Sequence, residues 1–175
     1  MKKLNRAGFT LIELLAVITI MGILMLVAIP SVSRTIENSR RDTFADNAIV
    51  YINTVRNAVL ADEITCDRVT ASGLKAGTYY YEINTEDQAT KDLMEKVAVS
   101  SWGSLPLTGY VQFDKSETDP TNGRTKIEYS VCLVDTQGHG TDGFIIESQM
   151  SRTKIKANDA PGCTVPASGK ACTLK

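Results

Sequence analysis

The sequence predicts an α+β protein: one long N-terminal α-helix, membrane-spanning in its first half, packed on an antiparallel β-sheet head. Three observations carry this. Residues 9–33 form one apolar run in which Glu13 is the only charge. Beyond Pro30, Ile36, Phe44, Ala48, Ile52, Val55 and Val59 recur at helical spacing, with Tyr51 beside them. From Thr78 onward, stretches that alternate apolar and polar residues are separated by Gly, Pro and Asn-Gly turn signals.

The apolar run is long enough to cross a bilayer, for which about 20 residues suffice. Lys2, Lys3 and Arg6 precede it, so residues 1–8 are expected to stay cytoplasmic and the remainder to face outward. A secretory signal peptide fits poorly, because the run exceeds the usual signal core and no small-residue cleavage site follows it. A plain anchor leaves Glu13 unexplained. A carboxylate at membrane depth costs about 2.5–3.5 kcal/mol on insertion scales, so it needs a partner or a purpose.

Pro30 removes a backbone donor inside the helical pattern and Gly22 adds a second weak point, so a break or kink is expected at both. Glu37 and Arg41 form a favourable i,i+4 pair. One helix is expected from Phe9 to about Ala61, some 80 Å at about 1.5 Å per residue, with 9–30 as the spanning part. Residues 62–175 form the head. Asp62 to Gly77 is turn-rich. Thr78–Ile83 reads as a strand, and Thr85-x-x-Gln88 as a capping box for a short helix to about Val97. Gly109–Asp114, Thr125–Val134 and Gly143–Met150 read as further strands, with a turn at Asp119-Pro120 and Asn122-Gly123. Gly138, Gly140 and Gly143 suggest a flexible connection. The tail from Ala157 has no clear periodicity.

The chain has 175 residues, enough for one ordinary domain plus an N-terminal segment. Without residues 1–8 it carries 16 basic and 20 acidic residues, a mildly acidic balance that disfavours strong nucleic-acid binding. Cys66, Cys132, Cys163 and Cys172 form no CxxC pair, and with one histidine there is no zinc spacing. Behind a membrane-targeting segment, four cysteines suggest an oxidising location and two disulfides. Three pairings are possible. The expected one is Cys163–Cys172, closing a loop in the tail, with Cys66–Cys132 following by elimination.

Chemistry is sparse elsewhere. His139 lies between two glycines, the setting of a solvated loop histidine rather than a catalytic base. No P-loop or nucleotide fingerprint occurs, and nothing calls for a cofactor. Asp135 and Asp142 could contribute to a calcium site, but oxygen ligands are few. Arg152, Lys154 and Lys156 would share one face of a strand, as a charged edge or an anion-contacting face. Tyr79, Tyr80, Tyr81 and Trp102 could form a binding surface, although alternate residues of that strand should face the core.

The segment Gly8-Phe9-Thr10-Leu11-Ile12-Glu13-Leu14, behind its short basic leader, resembles the class III leader of type IV prepilins and related pseudopilins. The resemblance covers about the first fifth of the chain, and Gly22 and Pro30 fall where these families place helix-weakening residues. It implies cleavage after Gly8 by a prepilin peptidase and N-methylation of Phe9. It also implies that the Phe9 amine pairs with Glu13 of a neighbouring subunit. A disulfide-bounded loop near the C-terminus resembles the variable surface region of many pilins.

The expected function is therefore a structural subunit of a surface filament, a pilus, with no catalytic activity. The implied partners are other copies of the chain, the peptidase, the membrane before assembly and the inner-membrane assembly machinery. The alternatives are a pseudopilin of a type II secretion or DNA-uptake system, a minor pilin, or an anchored binding module that never polymerises.

Overall fold

The computed structural model describes residues 9–94, 98–165 and 167–175. Helix α1 (Leu11–Leu60) belongs to two compact units, residues 1–38 and residues 39–175. In the first unit, the described residues from Phe9 to Asn38 are exposed along the whole helix surface, Ile36 included. The helix continues through Gly22 and Pro30.

In the second unit, Phe44, Ala45, Ala48, Tyr51, Ile52, Val55, Ala58 and Val59 make one buried stripe on α1. This is the i, i+3/i+4 pattern of a helix lying on a core. It packs on one mixed sheet of nine strands: β1 (Ile64–Cys66), β2 (Val69–Thr70), β3 (Gly77–Asn84), β4 (Leu107–Lys115), β5 (Ile127–Asp135), β6 (Gly140–Thr141), β7 (Ile145–Ile146), β8 (Ile155–Lys156) and β9 (Lys170–Leu174). The order is β2-β1-β9-β3-β4-β5-β6-β8, with β7 paired to β5. Tyr79, Tyr81 and Ile83 of β3, Leu107, Val111 and Phe113 of β4, and Tyr129, Val131 and Leu133 of β5 join the helix stripe in one apolar cluster. Each such large side chain contributes about 1.5–3 kcal/mol on burial.

Among the described residues, every strand pair is antiparallel except β3–β9. The parallel pair arises because the last strand of the chain enters the sheet between β1 and β3. Hairpin β1–β2 reaches the other strands only through β9. The tail, which lacks periodicity in sequence, thus ends in an interior strand.

This insertion decides the disulfides. Cys172 of β9 lies directly opposite Cys66 of β1, and the two are bonded. Cys132 alternates with inward-facing Val131 and Leu133 on β5, so it points to the far face of the sheet, where Cys163 bonds it. The expected pairing of Cys163 with Cys172 and Cys66 with Cys132 is therefore corrected, and there is no closed loop between Cys163 and Cys172. The separations are 106 and 31 residues.

Local expectations also shift. Helix α2 is shorter, Gln88–Leu93, and its N-cap is Asp87 rather than Thr85. Thr85 instead extends the β3–β4 ladder: its N–H donates to the Leu107 carbonyl at 3.0 Å and its Oγ1 accepts from the Leu107 N–H at 2.9 Å. Val97, the expected helix end, lies outside the described residues. The region read as a strand over Gly143–Met150 is two strand residues followed by a 3₁₀ turn, Glu147–Gln149. Arg152–Lys154 is likewise a 3₁₀ turn, so the three basic residues do not share a strand face. The Gly-rich connection is a close-packed approach. A Cβ on Gly140 would strike the Leu133 carbonyl oxygen, just as one on Gly109 would strike that of Cys132.

His139 is buried, not solvated. Its ring stacks on Trp102 with centroids 4.8 Å apart and planes 2° from parallel, and Trp102 in turn tilts against Phe44 of α1. The His139 Nδ1 lies 2.7 Å from Asp135 Oδ2, which also accepts from the Ser100 hydroxyl at 2.7 Å. Asp135 Oδ1 accepts from the N–H groups of Gln137 and His139. Burial pushes the Asp135 carboxyl up, but the Ser100 hydroxyl, the two backbone donors and the imidazole outweigh it and hold it below the usual range. The segment carrying Ser100 and Trp102 is strapped onto α1. Tyr51 Oη donates to the Ala98 carbonyl at 2.6 Å, Asn47 to that of Val99 at 2.8 Å, and Ser101 Oγ to that of Arg40 at 2.7 Å. Arg56 of α1 adds an ion pair with Glu147 and lies over the Tyr129 ring, 4.8 Å from its centroid.

Two predictions follow from this architecture. Non-reducing peptide mapping should recover Cys66 linked to Cys172 and Cys132 linked to Cys163. Cys66→Ser with Cys172→Ser should cost about 4–5 kcal/mol of head stability in the chain-entropy view, more than loss of the shorter bridge at about 3.5 kcal/mol. Linkage of Cys163 to Cys172 contradicts the strand order. Because the Asp135 carboxyl is depressed, its contribution is present above the ordinary carboxylate range and lost as pH falls through its folded-state value. Asp135→Asn should lower stability at neutral pH by about 1–3 kcal/mol and flatten the acid limb of the unfolding profile, read by the emission of Trp102. An acid limb identical to that of the parent chain contradicts this role.

Candidate functional site

The residues singled out at the N-terminus fall on the first turn of α1. Leu11 opens the helix, and the first intrahelical bond runs from the Leu14 N–H to the Thr10 carbonyl at 3.2 Å. Glu13 Oε2 accepts from the Thr10 backbone N–H at 2.9 Å and from the Thr10 hydroxyl at 2.8 Å. In return the Glu13 N–H reaches Thr10 Oγ1 at 3.4 Å. This is a reciprocal capping box: Thr10 is the N-cap and Glu13 the third helical residue. The helix dipole also favours a carboxylate in the first turn.

Thr10 is the functional residue that the sequence analysis missed. Its signal was readable as Thr-x-x-Glu immediately before an apolar run. The same rule was applied at Thr85, where ladder bonds to Leu107 take the side chain instead.

Residues 9–30 contain three polar side chains: Thr10, Glu13 and Thr19. The two threonine hydroxyls and one oxygen of Glu13 are satisfied within the segment, with the Thr19 hydroxyl donating to the Ala16 carbonyl at 2.8 Å. That is the condition for residence in lipid, where an unsatisfied polar group costs several kcal/mol. The helix is long and apolar enough to cross a membrane. Glu13 Oε1 accepts no hydrogen bond and makes no ion pair among the described residues, so one acceptor of the carboxylate stays open to an incoming cation. Phe9 is 88% exposed beside it. Gly8 lies outside the described residues.

The other residues considered for chemistry are engaged elsewhere. His139 is buried and Trp102 half-buried in the clasp that holds the Ala98–Trp102 segment to α1. Both oxygens of Asp135 are occupied by hydrogen-bond donors, and Asp142 pairs with Lys156 at 3.5 Å, so they do not converge on a cation. Among the described residues no group of three His, Cys, Asp or Glu side chains is arranged to hold a metal. Arg152 pairs with Asp42 at 3.5 Å. The basic trio is therefore largely compensated and offers no stripe for a phosphate backbone. Tyr79 and Tyr81 are core residues, while Tyr80 lies on the far face with its ring edge-to-face on Tyr110.

Comparison with known proteins bears on this first turn. Residues 3–29 match the family model of the prokaryotic N-terminal methylation motif, and the head lies outside the match. Neither a comparison with curated proteins nor one with solved structures gave a match. With an α+β, pilin-like fold and this motif on its N-terminal helix, the chain carries the class III prepilin leader of type IV pilins and pseudopilins.

Proposed function

We propose that this chain is a structural subunit of a type IV pilus-like surface filament. It is made as a prepilin, cut after Gly8 by a prepilin peptidase, methylated on the Phe9 amine and polymerised through its N-terminal helix. The observation that carries the reading is the half-satisfied carboxylate of Glu13 on an otherwise apolar helix surface.

Before assembly, lipid covers residues 9–30, and Thr10 holds one oxygen of Glu13. Cleavage creates a positively charged amine on Phe9. In the filament the open oxygen of Glu13 takes up the amine of a neighbouring Phe9, while apolar helix surface moves from lipid onto other helices. Leaving lipid releases the cost of a buried carboxylate, and the ion pair forms in one register only, so it sets the axial position of each subunit. Pro30, which lacks a backbone donor, and Gly22, a poor helix former, allow local extension during packing. The head forms the outer surface. The chain is a substrate of the peptidase and catalyses no reaction of its own.

Replacing Glu13 with Ala should leave processed subunits in the membrane fraction and reduce sheared surface filaments at least tenfold. Thr10→Val removes the side-chain cap, worth about 0.5–2 kcal/mol, and should reduce filament yield less than Glu13→Ala does, with Thr10→Ser restoring it. Quantitative immunoblots of sheared and membrane fractions give the readout. Parental filament yield from Glu13→Ala contradicts the proposal.

A further inference from the structure

The described part of the head has a hollow of about 600 Å³ between the loop after β2 and the base of the β4–β5 hairpin. It lies within the usual size range of small-molecule sites, about 300–1,000 Å³. Its walls have a consistent chemistry. Lys75 and Lys115 supply two ammonium groups, Ser72, Ser116, Thr118 and Thr125 supply hydroxyls, and Glu117 is the single acid.

The frame is rigid. Leu74 is buried and anchors the loop. Lys115 Nζ reaches the Ala71 carbonyl at 3.5 Å and spans the two lips. On the hairpin side, the Ser116 N–H donates to the Lys126 carbonyl at 2.9 Å, and the Lys126 N–H donates back to Ser116 Oγ at 2.9 Å. Thr118 and Thr125 hydrogen-bond each other through their hydroxyls at 2.9 Å, each keeping further capacity for a ligand. Lys75, by contrast, is exposed: its carbonyl accepts from the Tyr79 hydroxyl at 3.0 Å, while its ammonium makes no hydrogen bond or ion pair among the described residues. A second hollow of about 230 Å³ shares Leu74 and Lys75 and is lined by Tyr79 and by Lys170, which pairs with Asp67 at 3.7 Å.

We infer that this hollow binds an acidic oligosaccharide, with Lys75 placed against a sugar carboxylate and the Thr118 and Thr125 hydroxyls against ring hydroxyls. Hydroxyl side chains match sugar hydroxyls as both donors and acceptors, and an ammonium on a flexible stem suits a point charge. A nucleic-acid backbone would require several more cations. A nucleotide base would require an apolar or aromatic slot, and the hollow offers only Leu74 and Ala76. The inference concerns the head alone and stands whether or not the chain polymerises.

The test uses the full chain in detergent micelles, titrated with sialyllactose and followed by backbone amide chemical shifts. Lactose, inorganic phosphate and a short DNA duplex are the comparison ligands. Sialyllactose should move the amides of Lys75, Ser116 and Thr118. Binding should weaken at least fivefold in Lys75→Gln, at least twofold in Thr118→Val, and at least threefold on raising NaCl from 50 to 500 mM, as expected for a screened charge. Lactose and phosphate should each bind at least fivefold more weakly. Shifts located elsewhere, an affinity unchanged in Lys75→Gln, or equal or tighter binding of phosphate or duplex DNA overturns the inference.

Discussion

A single carboxylate on an apolar helix surface governs the N-terminal segment. Residues 9–30 present hydrocarbon on every side, a surface that water does not tolerate and that lipid or other helices must cover. Within it Glu13 is affordable only because Thr10 and the helix N-terminus neutralise half of its demand. In the proposed filament, the remaining half is the asymmetry on which assembly would depend. A fully satisfied Glu13 would have no reason to leave the membrane, and an unsupported one would enter it at a much higher cost.

The head meets a different constraint. Its sheet is completed by the last residues of the chain, since β9 lies between β1 and β3 and joins the β1–β2 hairpin to the other strands. A strand of five residues has few hydrogen bonds with which to hold such a position. The disulfide from Cys172 to Cys66 supplies the hold covalently, and the Cys132–Cys163 bridge fastens the preceding segment to the far face of β5. On the helix side, the clasp formed by Ser100, Trp102, Asp135 and His139 ties the connection between α2 and β4 to both α1 and the β5–β6 turn. The two bridges and the clasp lie where long connections would otherwise be free.

What was legible in sequence was periodic. The apolar run, the Phe44-to-Val59 stripe and strands β3, β4 and β5 each repeat at the spacing of their element, and each is present. What was not legible depended on distant partners. The strand Lys170–Leu174 is too short and too polar to announce itself, so its place in the sheet and the disulfide pairing that follows from it were hidden. His139 looked solvated because its glycine neighbours suggested freedom. Gly140 is in fact required for close approach to β5, and that approach carries the imidazole onto Trp102. At the N-terminus the motif pointed to Glu13, and the capping role of Thr10, local and readable as Thr-x-x-Glu, was overlooked.

The central claim is that Phe9 and Glu13 become an intersubunit pair after removal of residues 1–8. Mass spectrometry of filaments sheared from the cell surface tests it most directly. The account predicts a chain that begins at Phe9, carries one methyl group on its amine and has four fewer hydrogens than the fully reduced sequence. A chain that retains residues 1–8, or one absent from the sheared fraction and confined to the membrane, would contradict it.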